Sequence, residues 1–146
     1  MGEWNENQIF DVRFFIAWIV LFFLWHLGAM NLNVRVIDYS SLLSIFRTPE
    51  AEMKLGWVEM LADVILPGAF AWLYARGVDA RPWFVQGVLF GLAAALVGVV
   101  PMFMRYSVVL PQAPSVLVEQ LVYFSILMVI LGAAAAFVYR NTRRAV

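Results

Sequence analysis

Cysteine is absent from this 146-residue chain. That excludes disulfides, thiolate metal sites, iron–sulfur clusters and c-type haem attachment. Histidine occurs once, at position 26. A b-type haem held between two histidines of this chain is therefore excluded, and the closely spaced histidine sets of membrane di-metal enzymes are missing. Charge is scarce: 14% of residues are Asp, Glu, Lys or Arg, against about a quarter in an ordinary soluble domain. Positive and negative charges cancel, and no basic stripe calls for nucleic acid. There is no Walker loop, no GxSxG elbow and no HExxH pair. A dedicated catalytic centre is not expected, nor a cofactor bound by this chain alone.

What fills the chain instead is apolar. Hydrophobic residues make up 64% and aromatics 16%, and the mean hydropathy is +0.83. Four blocks, about 14–32, 57–74, 83–104 and 116–139, each reach the roughly 18 residues that a helix needs to cross a ~30 Å hydrocarbon layer. The pattern predicts an all-α integral membrane protein, a four-transmembrane-helix bundle forming a single transmembrane domain over residues 1–146. Its surroundings are lipid. The leader "MGEWNENQIFDVR" carries three acids and one Arg, the reverse of a basic signal-peptide leader. Glu6 stands where a myristoylation signal wants Ser or Thr.

Lys and Arg near the helix ends set the expected orientation. Arg13, Arg76, Arg81, Arg140, Arg143 and Arg144 fall on one side; Arg35, Arg47, Lys54 and Arg105 fall on the other. The compact C-terminal cluster decides for both termini in the cytoplasm, in a bacterial inner membrane. The segment 33–56 between helices 1 and 2 is then external. Leu42, Leu43, Ile45 and Phe46 form the apolar side of a short interfacial helix there. "TPEAEM" predicts a helix start, with Thr48 as N-cap and Pro49 in the first turn. Pro114 opens the fourth helix in the same way.

The two halves resemble one another. "VILPGAFAWLY" (64–74) aligns without a gap to "VILGAAAAFVY" (129–139), and "VLFFL" (20–24) to "VLFGL" (88–92). The alignment suggests a duplicated helical hairpin, its copies related by an axis along the membrane normal. The charges do not repeat: Asp63 falls opposite Met128, and Lys54 opposite Glu119.

Small residues predict the packing. Gly87, Gly91 and Ala95 make a four-spaced stripe on helix 3, with Gly132 and Ala133–Ala136 on helix 4 and Gly68, Ala69 and Ala71 on helix 2. Close backbone approach at such residues drives association in lipid. Helices 2, 3 and 4 are therefore expected to form a tight centre. Helix 1, ringed by Phe14, Phe15, Trp18, Phe22, Phe23 and Trp25, is expected outside it, against lipid or other integral membrane subunits.

Glu59 and Asp63 sit four apart, on one stripe of a very apolar helix. A carboxylate deep in a bilayer costs about 2.5–3.5 kcal/mol on insertion scales. Counting along each helix at ~1.5 Å per residue brings His26, Glu59, Asp63, Glu119, Gln120 and Arg105 to one level, in the outer third of the membrane. This predicts an outward-facing polar pocket lined by helices 1, 2 and 4. It reads as a structural clasp, as a cation or proton site, or, with a single histidine, least well as a catalytic metal site. Pro67, one turn beyond Asp63, is a kink or a hinge. Two functions follow. One is a non-catalytic accessory or assembly subunit of a larger integral membrane complex, of an energy-transducing or oxidase type. The other is a small homo-oligomeric transporter or channel using the outer pocket.

Overall fold

The computed structural model describes residues 12–35, 49–77, 81–109 and 113–140. These are all helical apart from short turns, with no strand among them. Helix α1 runs Val12–Arg35 and α2 Pro49–Arg76. The third helix is α3 (Trp83–Ala94), a π-helical turn Ala95–Val99, and α4 (Val100–Val109) in direct succession; α5 runs Pro114–Tyr139. Four of these helical stretches are long and apolar enough to cross a membrane: Val12–Ala29, Gly56–Arg76, Trp83–Val108 and Pro114–Tyr139. The expected interfacial helix at 42–46 and the Thr48 cap lie outside the described residues.

Two helix starts follow the prolines. Pro49 and Pro114 each occupy the first turn of their helix, where the missing N–H has no helical partner to lose and φ is already helical. Ahead of Pro114, Ala113 is extended (ψ 136°), as a residue preceding proline prefers. The third helix runs past the expected end at 104, so Arg105, Tyr106 and Ser107 are helical rather than loop. Pro101 does not stop it because the preceding turn is widened: the Val100 N–H reaches back five residues to the Ala95 carbonyl. That spacing makes room for a ring lacking an N–H.

The π turn also sets which side of the third helix is buried. Gly87, Gly91, Ala95, Val99 and Phe103 are all buried, at a constant spacing of four. In an ideal α-helix a four-residue step over-rotates by about 40°, so sixteen residues would carry Phe103 roughly 160° away from Gly87. One extra residue in a π turn takes back about 100° of this. The stripe thus stays on α5 from end to end. Gly98 lies on the bulge, exposed, with nothing within 4 Å of a Cβ placed there. Gly98→Ala is expected to be neutral or mildly stabilising, by up to about 1 kcal/mol from helix propensity. Deleting Gly98 is expected to straighten the turn, rotate Phe103 out of the core and destabilise the bundle. Thermal unfolding in detergent separates the two; equal stability of both variants would show that the bulge does not set the register.

α3 and α5 cross at backbone contact. A Cβ on Gly87 would lie 2.6 Å from the Ala136 Cβ and from the Gly132 carbonyl; one on Gly91 would strike the Met128 carbonyl, and one on Gly132 the Gly87 carbonyl. The small-residue face expected on helices 3 and 4 is therefore the tightest contact of the fold. The expected place of helix 1 is corrected. α1 packs along both α2 and α5, burying Phe14, Ala17 and Leu21. α2 meets α3 chiefly through aromatic edges: Phe70 and Tyr74 stand T-shaped to Phe90, centroids 4.9 and 5.2 Å apart. The aromatic ring around α1 concealed this, because it offers no contrast between an inner and an outer face.

The aligned segments of α2 and α5 bury matching positions. Pro67, Phe70, Ala71 and Tyr74 are buried, as are Gly132, Ala135, Ala136 and Tyr139. The Tyr74 and Tyr139 rings meet, centroids 5.8 Å apart. Near the ends of these helices Arg76 stacks over Trp72 at 3.8 Å and Arg140 over Phe137 at 3.9 Å, with Trp72 and Phe137 again aligned. The hairpins do not pack as equals, however, since α1 lies along α5 while α2 reaches α3 mainly with rings.

Candidate functional site

Gln86 and Gln120 are the buried polar side chains among the described residues, and a cluster of partly buried polar contacts meets one turn of α2. Asp63 turns toward α1, and both its oxygens are taken. The Trp25 indole N–H donates to Oδ1 at 2.8 Å, and His26 Nδ1 lies 3.0 Å from Oδ2. An ionised carboxylate only accepts, so this geometry places a proton on Nδ1 and leaves Nε2 as the open ring nitrogen. Asp63 is 17% exposed and His26 45%. The imidazole therefore forms the accessible edge of the pair, and the Phe22 ring stacks on it at 5.9 Å with the planes 10° apart.

One residue along α2, Trp18 donates its indole N–H to the Val64 carbonyl at 2.9 Å. Pro67 has no N–H, so the carbonyl that loses its regular helical bond is that of Asp63, beside Val64. Gly68 lets the indole lie against α2: a Cβ there would be 3.1 Å from the Trp18 Nε1 and Cε2. Three side chains of α1, Trp18, Trp25 and His26, thus land on residues 63 and 64. On the α5 side, the Tyr123 hydroxyl donates to the Gly28 carbonyl at 3.0 Å, and the Trp25 and Phe124 rings pack with centroids 5.8 Å apart. At this level α1 is thus bonded to α2 on one side and to α5 on the other.

The expected residue set separates into three groups. His26 and Asp63 come together. Gln120 is buried in α5. Glu119 and Arg105 are exposed, and no hydrogen bond or ion pair among the described residues joins either to Asp63 or His26. Glu119 follows the buried Leu117 and precedes the buried Gln120 in α5, so the helix phase turns it outward. The side chain of Glu59 lies outside the described residues. Among the described residues, no three His, Asp or Glu side chains gather as a metal-ligating group. Sequence reasoning missed Trp18 and Trp25 as polar partners. Their signal was present: an indole N–H in an apolar helix requires an acceptor, and Trp25 adjoins the only histidine.

Compared with known proteins, the chain matches no family model, no curated protein and no solved structure.

Proposed function

We propose that this chain is a multi-pass integral membrane protein of a bacterial inner membrane, with both termini in the cytoplasm. Its role is that of a non-catalytic accessory or assembly subunit of a larger integral membrane complex, contacted through α1. The observation that carries this reading is the division of α1 into two faces. One, with Phe14, Ala17, Leu21, Trp18 and Trp25, holds α2 and α5. The other leaves Phe15, Ile19, Phe23 and Leu27 exposed, bulky groups suited to packing against another apolar helix as well as lipid. Asp63, meanwhile, uses both oxygens in joining α1 to α2. The stacked Arg76 and Arg140 fit a cytoplasmic boundary, where such side chains anchor helix ends.

A small homo-oligomeric transporter or channel is the second reading, favoured by the accessible imidazole beside Asp63. Purification in mild detergent followed by native mass measurement distinguishes them. Foreign membrane subunits in fixed stoichiometry are the expected result; a homo-oligomer of this chain alone would replace the first reading with the second. Topology has its own check. Reporters placed after Val146 and near Ala80 are expected to report cytoplasm, and one near Thr48 the outside. A cytoplasmic signal at Thr48 would overturn the orientation.

A further inference from the structure

The two main helix contacts of this fold are held by different chemistry. α3 and α5 meet backbone to backbone at Gly87, Gly91 and Gly132, a contact that separates only by losing close packing along its whole length. α1 meets α2 by side-chain packing and, among the described residues, by three bonds that end on one turn: Trp18 on Val64, Trp25 and His26 on Asp63. That turn adjoins Pro67, where the helical bonding of α2 is already interrupted. We propose that the α1–α2 contact is the moving joint of the molecule, and that a proton on the His26–Asp63 pair closes it. This does not depend on what the chain assembles with.

The chemistry balances simply. A proton binds the open Nε2 of the half-exposed imidazole; Nδ1 keeps its bond to Asp63 Oδ2, and Asp63 remains a carboxylate. The pair passes from a net negative charge to neutral. In apolar surroundings an uncompensated carboxylate is costly, and an adjacent imidazolium offsets it. The proton-bound pair therefore favours the closed joint, and loss of the proton leaves Asp63 with only neutral donors. The other ionisable groups around the pair are few. On α1 the nearest is Arg35, about 13 Å away along the helix at ~1.5 Å per residue and with its side chain outside the described residues; Arg13 lies about 20 Å away in the other direction. On α2, Lys54 lies more than two turns toward the N-terminus and is exposed, and Glu59 is one turn away with its side chain outside the described residues. On α5, Tyr123 is bonded to the Gly28 carbonyl and Glu119 is exposed. Arg105 on α4 is exposed as well.

The sequence makes the test clean, since the chain has no cysteine and one histidine. Spin labels at Phe23→Cys and Leu61→Cys, exposed positions on α1 and α2, report the joint by pulsed dipolar spectroscopy in lipid nanodiscs. Measurements are made at about pH 5 and pH 8. A single short distance is expected at pH 5, and a second, longer population at pH 8. The one ¹⁵N-imidazole signal should change over the same interval. His26→Gln, which can still donate to Asp63, is expected to show the same distances at both values; Asp63→Asn serves the same purpose if that variant does not fold. An unchanged distribution in the labelled parent, or the same pH response in His26→Gln, would overturn the proposal.

Discussion

Gly91→Leu prevents stable association of α3 with α5, and even Gly91→Ala lowers the thermal midpoint in detergent substantially. A Cβ at this position meets the Met128 carbonyl and lies 2.6 Å from the Val129 Cα and 2.9 Å from the Met128 carbonyl carbon. All three are backbone atoms, so no rotamer change relieves the clash. The helices must move apart, and in lipid their close approach is itself the source of association. Overpacking that side chains can absorb costs about 1–3 kcal/mol; here Gly91→Leu should exceed that range. Phe22→Leu is the control. Phe22 is half-buried, and its main ring contacts are Phe23 and His26 on its own helix. Losing that stacking removes about 0.5–1.5 kcal/mol. Similar unfolding midpoints for Gly91→Leu and Phe22→Leu would show that the α3–α5 crossing does not organise the bundle.

Features governed by local chemistry were legible in the sequence. Run length marked the four helices, proline marked the starts at Pro49 and Pro114, and four-residue spacing marked the glycine face of α3. Depth counting also brought His26 and Asp63 to one level, along with Glu59, Glu119, Gln120 and Arg105, because antiparallel neighbours with known ends have a calculable register. What was hidden depends on rotation about the helix axes. In a helix that is apolar on every side, composition does not separate the buried face from the exposed one; α1 therefore read as peripheral, although Ala17 and Leu21 are fully buried. Rotation also sends Glu119 outward while its neighbour Gln120 is buried, though both lie at the same depth. The π turn at 95–99 had a trace: the stripe from Gly87 to Phe103 keeps a spacing of four for longer than a regular α-helix can hold one side. The length of the third helix followed from that turn, whereas the apolar run alone ended it at 104.

Asp63→Leu is expected to loosen α1 from α2, and by more than Asp63→Asn does. Two effects oppose each other in the leucine variant. Removing a carboxylate from apolar surroundings is favourable by up to about 2.5–3.5 kcal/mol for the inserted helix, but most of this applies equally when α1 and α2 are apart in the same membrane. What changes on separation is the set of bonds. Leucine leaves the Trp25 indole N–H and the His26 Nδ1 side without acceptors, and each unsatisfied buried donor costs about 1–3 kcal/mol. Inter-helix bonds measured in membranes contribute less, about 0.6 kcal/mol on average and up to ~1.7, because separated helices find other partners. The expected loss is therefore about 1–3 kcal/mol for both bonds together. Asparagine keeps an acceptor oxygen for the Trp25 N–H, and its amide N–H donates to His26 Nδ1 in the imidazole's other tautomer, so about 1 kcal/mol or less is lost. Replacing the whole set, Trp25→Phe with His26→Leu and Asp63→Leu, should recover much of the single-leucine loss, since no donor is then left unmet. Unfolding of all three variants in one detergent or bicelle system measures the order. If Asp63→Leu matches or exceeds the parent in stability, the carboxylate is not what joins these helices, and its place beside an accessible imidazole then has to be explained by binding rather than by structure.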